Sequence, residues 1–328
     1  MAVSTALLAL SGQAVPSNNL EMAASGLVAL GSKESPSGFA VLISDQGLFL
    51  ASSVVAKSNS TIGFSRSGQT LRMRKIGADS MTQLVLLEAQ DWRTGQFNPV
   101  RLASESDVLT QRLVAMSSDG PIFGQLISQN RNGLLQSSRR YVRLWELEFE
   151  STGRKLGGAP VLTVDGRLAG ILNATLEPVF GMGQAQPKGL ANQAAPEKFG
   201  PHGVTVGYAL GPKVLSRVVE GFLSEDHEVD HPFVGILYKN ASGGVVVTSV
   251  SKGSPAGKIG LRPGDIITRF GELQSPDSIS LAVMLFEAEV EETMAVRFKR
   301  GEEVYVRDLK IESTSRKSTQ SGSITLEP

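Results

Sequence analysis

The chain reads as mainly β, in two folded parts joined by a short linker, and three observations predict this. Short apolar runs separated by turn residues recur through the first 150 residues. Gly157-Gly158 opens an apolar run that reaches Val164, and Asp165-Gly166 then separates it from a second run ending at Ile171. That order, turn then strand then Asp-Gly then strand, is a hairpin signal. Finally, one amphipathic helix after Pro212 is followed by an acidic stretch carrying two histidines and a second β-rich run.

Taken in order, residues 37–43 read as a strand, Asp45-Gln46-Gly47 as a turn and 48–51 as the returning strand. The runs 61–64, 70–76, 84–89, 113–116, 124–129 and 141–149 continue the pattern and suit a barrel or sandwich better than a helical fold. In Leu147-Glu148-Phe149-Glu150 the alternation puts Glu146, Glu148 and Glu150 on one face, as in a half-solvated strand. Residues 177–203 are rich in Gln, Ala, Pro and Gly and read as a mobile loop, after which 204–210 resumes the strand pattern. Pro212 opens a helix with Val214, Leu215, Val218, Val219, Phe222 and Leu223 on one face. Residues 224–231 read as a linker. The second part runs over 232–312, with a helix near 278–287, and a Ser/Thr-rich tail expected to be disordered fills 313–328.

Composition limits the function classes. A chain of 328 residues with 41% hydrophobic residues supports more than one core. With 32 basic and 32 acidic residues the net charge is zero, which leaves no field to attract nucleic acid. The absence of cysteine excludes disulfides and thiol catalysis and leaves the compartment open. No run reaches the roughly 18 to 20 apolar residues of a membrane span. Within the N-terminal segment 1–24, an apolar run from Ala2 to Leu10 without a preceding Lys or Arg reads either as a weak signal peptide or as a misassigned start.

The run Arg154-Lys155-Leu156-Gly157-Gly158 and the strands after it resemble the nucleophile region of trypsin-like serine proteases, closely that of the HtrA/Deg family. The resemblance extends from Ser37 to Ile311 and implies a trypsin-like double β-barrel over 25–223. In that family the base stands where this chain has Ser53, the aspartate where it has Gln83, and the nucleophile where it has Leu156. All three triad positions are therefore expected to be substituted. A branched hydrocarbon at 156 can neither attack a carbonyl nor be activated by a base. The chain is accordingly expected not to be an enzyme, but an inactive member that binds peptides, scaffolds or regulates. The alternative is an active serine endopeptidase of this family with a non-standard site, for instance Ser53 paired with Lys155. His202, His227 and His231 are the only histidines, and they are read as solvated or linker residues far from any nucleophile.

Gly253-Ser254-Pro255-Ala256 followed by Gly260-Leu261-Arg262-Pro263-Gly264-Asp265 resembles a bacterial-type PDZ domain. The resemblance implies that an extended peptide adds to a strand edge beside a glycine loop whose backbone N–H groups hold a terminal carboxylate. Val234, Gly235, Ile236 and Leu237 match that loop and strand, and Ile279, Ala282, Val283 and Phe286 are expected to line the opposite wall, with Leu281 and Leu285 facing the core. A purely packing role for this unit is the competing reading. The implied partners are polypeptide C-termini or unfolded segments, with active relatives or self-association as further ones. No cofactor or metal is implied, and the family resemblance points to export to the periplasm.

Overall fold

The computed structural model of the protein describes residues 18–95, 97–118, 120–135, 140–150, 156–173, 176–178, 198–199 and 204–314. A short helix α1 (Asn18–Ser25) leads into β1 (Leu27–Gly31), β2 (Pro36–Ser44), β3 (Leu48–Ser52), β4 (Ser60–Ser65), β5 (Thr70–Asp79) and β6 (Leu84–Ala89). These six strands close into an antiparallel barrel in the order β1-β2-β3-β6-β5-β4, with β4 returning to β1. Alternate residues point inward, and Val28, Leu30, Ala40, Leu42, Phe49, Ala51, Leu71, Met73, Val85 and Leu87 fill the interior. Part of the segment expected to precede the fold is built into it. Leu20, Ala23 and Ala24 of α1 are buried, and Gly166 packs on the backbone of Asn19.

After α2 (Glu105–Thr110), whose first turn is held by a reciprocal cap between Ser104 and Asp107, come β7 (Leu113–Ser117), β8 (Gly120–Leu135) and β9 (Arg140–Phe149). They are followed by β10 (Pro160–Thr163), β11 (Leu168–Ile171), β12 (Leu176–Pro178), β13 (Lys198–Phe199) and β14 (Val204–Leu210). Together they form an eight-stranded sheet ordered β11-β10-β7-β8-β9-β14-β13, with β12 on β8. A bridge between Leu172 and Ala209 brings its two sides together. On β9, Trp145, Leu147 and Phe149 are buried while Glu146, and Glu150 just past the strand, pair with Arg131 and Arg112. Of the loop expected over 177–203, the two ends carry strand residues of β12 and β13, and the remainder lies outside the described residues.

Helix α3 (Pro212–Leu223) buries Val214, Leu215, Val218, Val219 and Phe222 on one face. The chain then turns back on it. His227 takes φ +55, its N–H donates to the Ser224 carbonyl, and its Nδ1 lies 2.8 Å from the Phe222 carbonyl oxygen. Packing divides the chain into two compact units, with the main boundary between Glu228 and Val229 and with Arg140–Val142, at the start of β9, grouped with the second unit.

The second unit contains β15 (Pro232–Phe233), β16 (Ile236–Ala241), β17 (Gly244–Val250), α4 (Pro255–Lys258), β18 (Ile266–Phe270), β19 (Leu273–Gln274), α5 (Ser278–Glu287), β20 (Thr293–Arg300), β21 (Glu303–Lys310) and β22 (Glu312–Ser313). Its main sheet runs β16-β17-β18-β20-β21, and β15 pairs with β22 apart from it. Val245, Val247, Ile267, Phe270, Leu281, Val296, Phe298, Leu309 and Ile311 form the core. Full burial of each such side chain contributes about 1.5–3 kcal/mol. The turn before β18 is fixed by Asp265, which is 1% exposed and accepts hydrogen bonds from Arg300 Nε and Nη2 and from the Arg262 N–H, each at 2.8 Å. The Asp265 carboxylate raises the Arg300 guanidinium pKa further, and that guanidinium also lies over the Tyr305 ring.

Two expectations at the edges of this unit are corrected. His231, read as a solvated linker residue, is buried with its ring stacked on Phe286, because β15 docks its segment beside α5. Ser313, placed in the disordered tail, is a buried residue of β22 whose hydroxyl donates to Asp230, while the Thr314 N–H donates to the His231 carbonyl.

Candidate functional site

The first candidate is the cleft between the two sheets of the first unit. Ser53 and Gln83 meet there through backbone, the Ser53 N–H donating to the Gln83 carbonyl at 2.9 Å. Gln83 sits at φ +59, in the left-handed region that non-glycine residues seldom occupy. The turn that forces this is organised by Asp79, whose carboxylate accepts from the Met81 and Thr82 N–H groups and from the Thr82 hydroxyl at 2.5 Å. From the opposite side, Asn173 Nδ2 donates to the Thr82 carbonyl at 3.2 Å. Ser52, Thr82, Leu84, Ile171, Asn173, Leu210 and Leu215 line a small pocket at this seam.

The Gly157-Gly158 turn also reaches the seam. Gly158 is at φ +80, and a Cβ there would lie 2.3 Å from Val55 Cγ2 and 3.4 Å from Ser52 Cβ. Gly38, on β2, approaches the same valine, so Val55 is clasped between two glycines. Leu156 belongs to the opposite side of this turn. Its side chain is fully buried in the second sheet's core, with Leu113, Trp145, Phe149 and Val161 in the same cluster. Ser53 and Gln83 are thus adjacent, Gly158 is the residue of the Gly-Gly turn that approaches them, at Ser52 and Val55, and the Leu156 side chain supports the second sheet's core. Arg154 and Lys155 lie outside the described residues.

The second candidate is the groove of the C-terminal unit. Among the described residues, β16 has a strand partner on one side only, β17, which leaves its other edge open for strand addition. The chain enters β16 through Gly235 at φ +80, where a Cβ would lie 2.3 Å from Ser254 Cβ. A bulky residue at 235 would therefore strain the loop itself, because the position takes a positive φ. Val234 is a core residue whose carbonyl accepts from the Ala256 N–H, Ile236 packs on the core, and Leu237 is 68% exposed.

On α5, Leu281 is a core residue and Leu285 packs against the core, while Ile279 and Ala282 keep partial exposure. Val283 and Phe286, expected on the groove wall, are buried, Phe286 by its stacking with His231. A contact with no signal in the sequence ties the helix to the strand. Asn240 Oδ1 accepts from the Ser278 N–H at 2.6 Å, in the first turn of α5, and Asp277 caps that turn. Burial pushes the Tyr238 hydroxyl pKa up to about 12.

This architecture defines a trypsin-like fold followed by a C-terminal PDZ domain. Residues 232–311 match the family model described as "PDZ domain". A solved structure described as "HtrA-type protease AlgW with decapeptide" superposes with a TM-score of 0.63 at 16% identity, over 90% of this chain and 98% of that one. Among curated proteins, "Serine protease Do-like HtrA" of Lactococcus lactis subsp. lactis (strain IL1403) is 23% identical over 299 residues, 82% of this chain and 68% of that protein. "Probable periplasmic serine endoprotease DegP-like" of Rickettsia conorii (strain ATCC VR-613 / Malish 7) is 24% identical over 302 residues, 88% of this chain and 56% of that protein. The chain is a homologue of the HtrA/DegP-like serine proteases.

These findings correct the expectation that the chain is not an enzyme. The relatives are named serine proteases and endoproteases, and that naming points to an enzyme. The identities of Ser53, Gln83 and Leu156 bear only on the mechanism that the resemblance implies, not on the class. Among the described residues no helix is long and apolar enough to cross a membrane.

The clasped valine gives a stability test. Gly158→Ala should cost on the order of 2–4 kcal/mol, from backbone strain and the clash with Val55. In the double variant with Val55→Ala the losses should sum to less than the two single costs, measured by chemical denaturation of the full chain. Additivity to within about 0.5 kcal/mol would contradict the clasp.

Proposed function

We propose that the C-terminal unit captures extended polypeptides by their carboxyl ends, serving recognition, scaffolding or regulation in an HtrA/DegP-like protein. The observation that carries this reading is the open edge of β16, bordered by α5 and entered through the Gly235 loop. An incoming strand satisfies its backbone on β16, and the loop's N–H groups receive the terminal carboxylate. The description of a structural neighbour with a decapeptide supports the class of ligand. The relatives named as periplasmic support a location outside the cytoplasm.

A second reading is favoured by the names of the relatives. It makes the chain a serine endopeptidase acting through a non-standard site, with Ser53 the hydroxyl at the cleft and Lys155 its candidate base. Capture by the groove then raises the local concentration of substrate at the barrels.

Titration of the full chain with a pool of hexapeptides ending in Val, Leu, Ile or Phe, as free acids and as amides, tests the first reading. Amidation removes charge-assisted hydrogen bonds of about 1.5–3 kcal/mol, so the free acids should bind about ten- to a hundredfold tighter. Equal affinity of both forms would sink the carboxylate loop. For the second reading, purified protein should degrade casein and Ser53→Ala should abolish the degradation. Intact casein after prolonged incubation with the parent would rule that reading out.

A further inference from the structure

The peptide-capture reading leaves open which sequences the groove prefers, and the pleat of β16 bears on that. Ile236 and Tyr238 pack toward the core, and Asn240 bonds to the first turn of α5, so these three share the helix side. Leu237 and Lys239 alternate with them and are exposed on the other face. The irregularity in the β16–β17 pairing falls on β17, where Thr248 is the extra residue, so β16 itself keeps a regular alternation.

A strand added antiparallel at the open edge shares this pleat, and directly opposed side chains stand on one face about 4.5–5.5 Å apart. If the carboxylate sits at the Gly235 loop, the last ligand residue opposes Ile236. The penultimate residue then opposes Leu237, the third from the end Tyr238 and the fourth Lys239. Leu237 offers an apolar surface that an apolar side chain would cover. Lys239 has no carboxylate partner among the described residues. Across the same face Lys239 opposes Val246, Val246 opposes Ile266 and Ile266 opposes Lys299, so Lys239 is the basic group at the β16 edge and the next residues inward are apolar.

We infer that Leu237 and Lys239 select carboxyl-terminal peptides with an apolar penultimate residue and an acidic residue fourth from the end. This inference rests on the peptide-capture reading above. It assigns specificity to the face of β16 that points away from α5, with the Asn240–Ser278 hydrogen bond marking the position after Lys239.

The test is fluorescence anisotropy on the full chain with fluorescein-labelled hexapeptide pools ending in Val, Leu, Ile or Phe. The pools carry Glu or Lys at the fourth position from the end and Phe or Ser at the penultimate one, with an amidated pool as control. The parent should bind Glu pools about two- to fivefold tighter than Lys pools, as expected for an exposed ion pair, and added salt should shrink the difference. Lys239→Glu should reverse that preference, and Leu237→Ser should erase the preference for Phe over Ser. Both side chains are exposed, so neither change removes core packing. Carboxylate-dependent binding with equal affinity for Glu and Lys pools would overturn this inference while leaving peptide capture standing. Binding that ignores amidation, or no binding, would overturn peptide capture and this inference with it.

Discussion

The groove depends on a contact that leaves no space for a side chain. Gly235 lies so close to Ser254 that a Cβ would fall 2.3 Å from the serine's own Cβ. Ser254 cannot retreat, because it is fully buried, donates to the Ser251 carbonyl at 2.7 Å and accepts from the Gly257 N–H at 3.2 Å. The Ser251 N–H returns a bond to the Gly235 carbonyl, and the Ala256 N–H bonds the Val234 carbonyl. The loop is thus held in one shape before any ligand arrives, which lowers the ordering cost of binding. The Gly-Ser-Pro-Ala run supplies this buttress. The Asp265–Arg300 pair fixes the turn before β18.

In the first unit a glycine plays a comparable part. Gly158 lets its turn close on Val55, and the same turn carries Leu156, whose side chain fills the second sheet's core. A residue chosen for a core position contributes packing and no chemistry. Around it the cleft retains hydroxyls in Ser52, Ser53 and Thr82, of which Thr82 already donates to Asp79. Any proteolysis by this chain therefore draws on groups other than the side chain at 156, whereas the groove's recognition elements need no catalytic residue at all.

Much of the fold was legible because it is written in local signals. The 278–287 helix follows an Asp cap and coincides with α5, and the Asp165-Gly166 hairpin joins β10 to β11. The bounds of β9 differ by one residue from the run 141–149. Helix α1 and β1 carry little local signal, since Asn18–Gly31 is rich in Ala, Gly and Ser and its burial comes from contacts distant in sequence, such as Asn19 with Gly166. For the same reason His231 looked like a solvated linker residue: Phe286, its neighbour in the fold, is 55 positions away in the chain. At the site, the glycine loop could be read from sequence, whereas the Asn240–Ser278 clamp and the burial of Val283 and Phe286 arise from tertiary packing that no periodicity encodes. The non-enzyme expectation failed for a different reason, since residue identities at three positions speak to one mechanism and the relatives' names speak to the whole class.

Peptide capture, as proposed, lays the ligand along the unpaired edge of β16. Hydrogen–deuterium exchange of the full chain, with and without a saturating carboxyl-terminal peptide, reads that edge directly. Strand addition at β16 should slow exchange most in peptides covering 234–241, with lesser slowing in 278–287 and none in β21, the opposite edge of the same sheet. Unchanged exchange over 234–241 while β21 or the first unit becomes protected would contradict it.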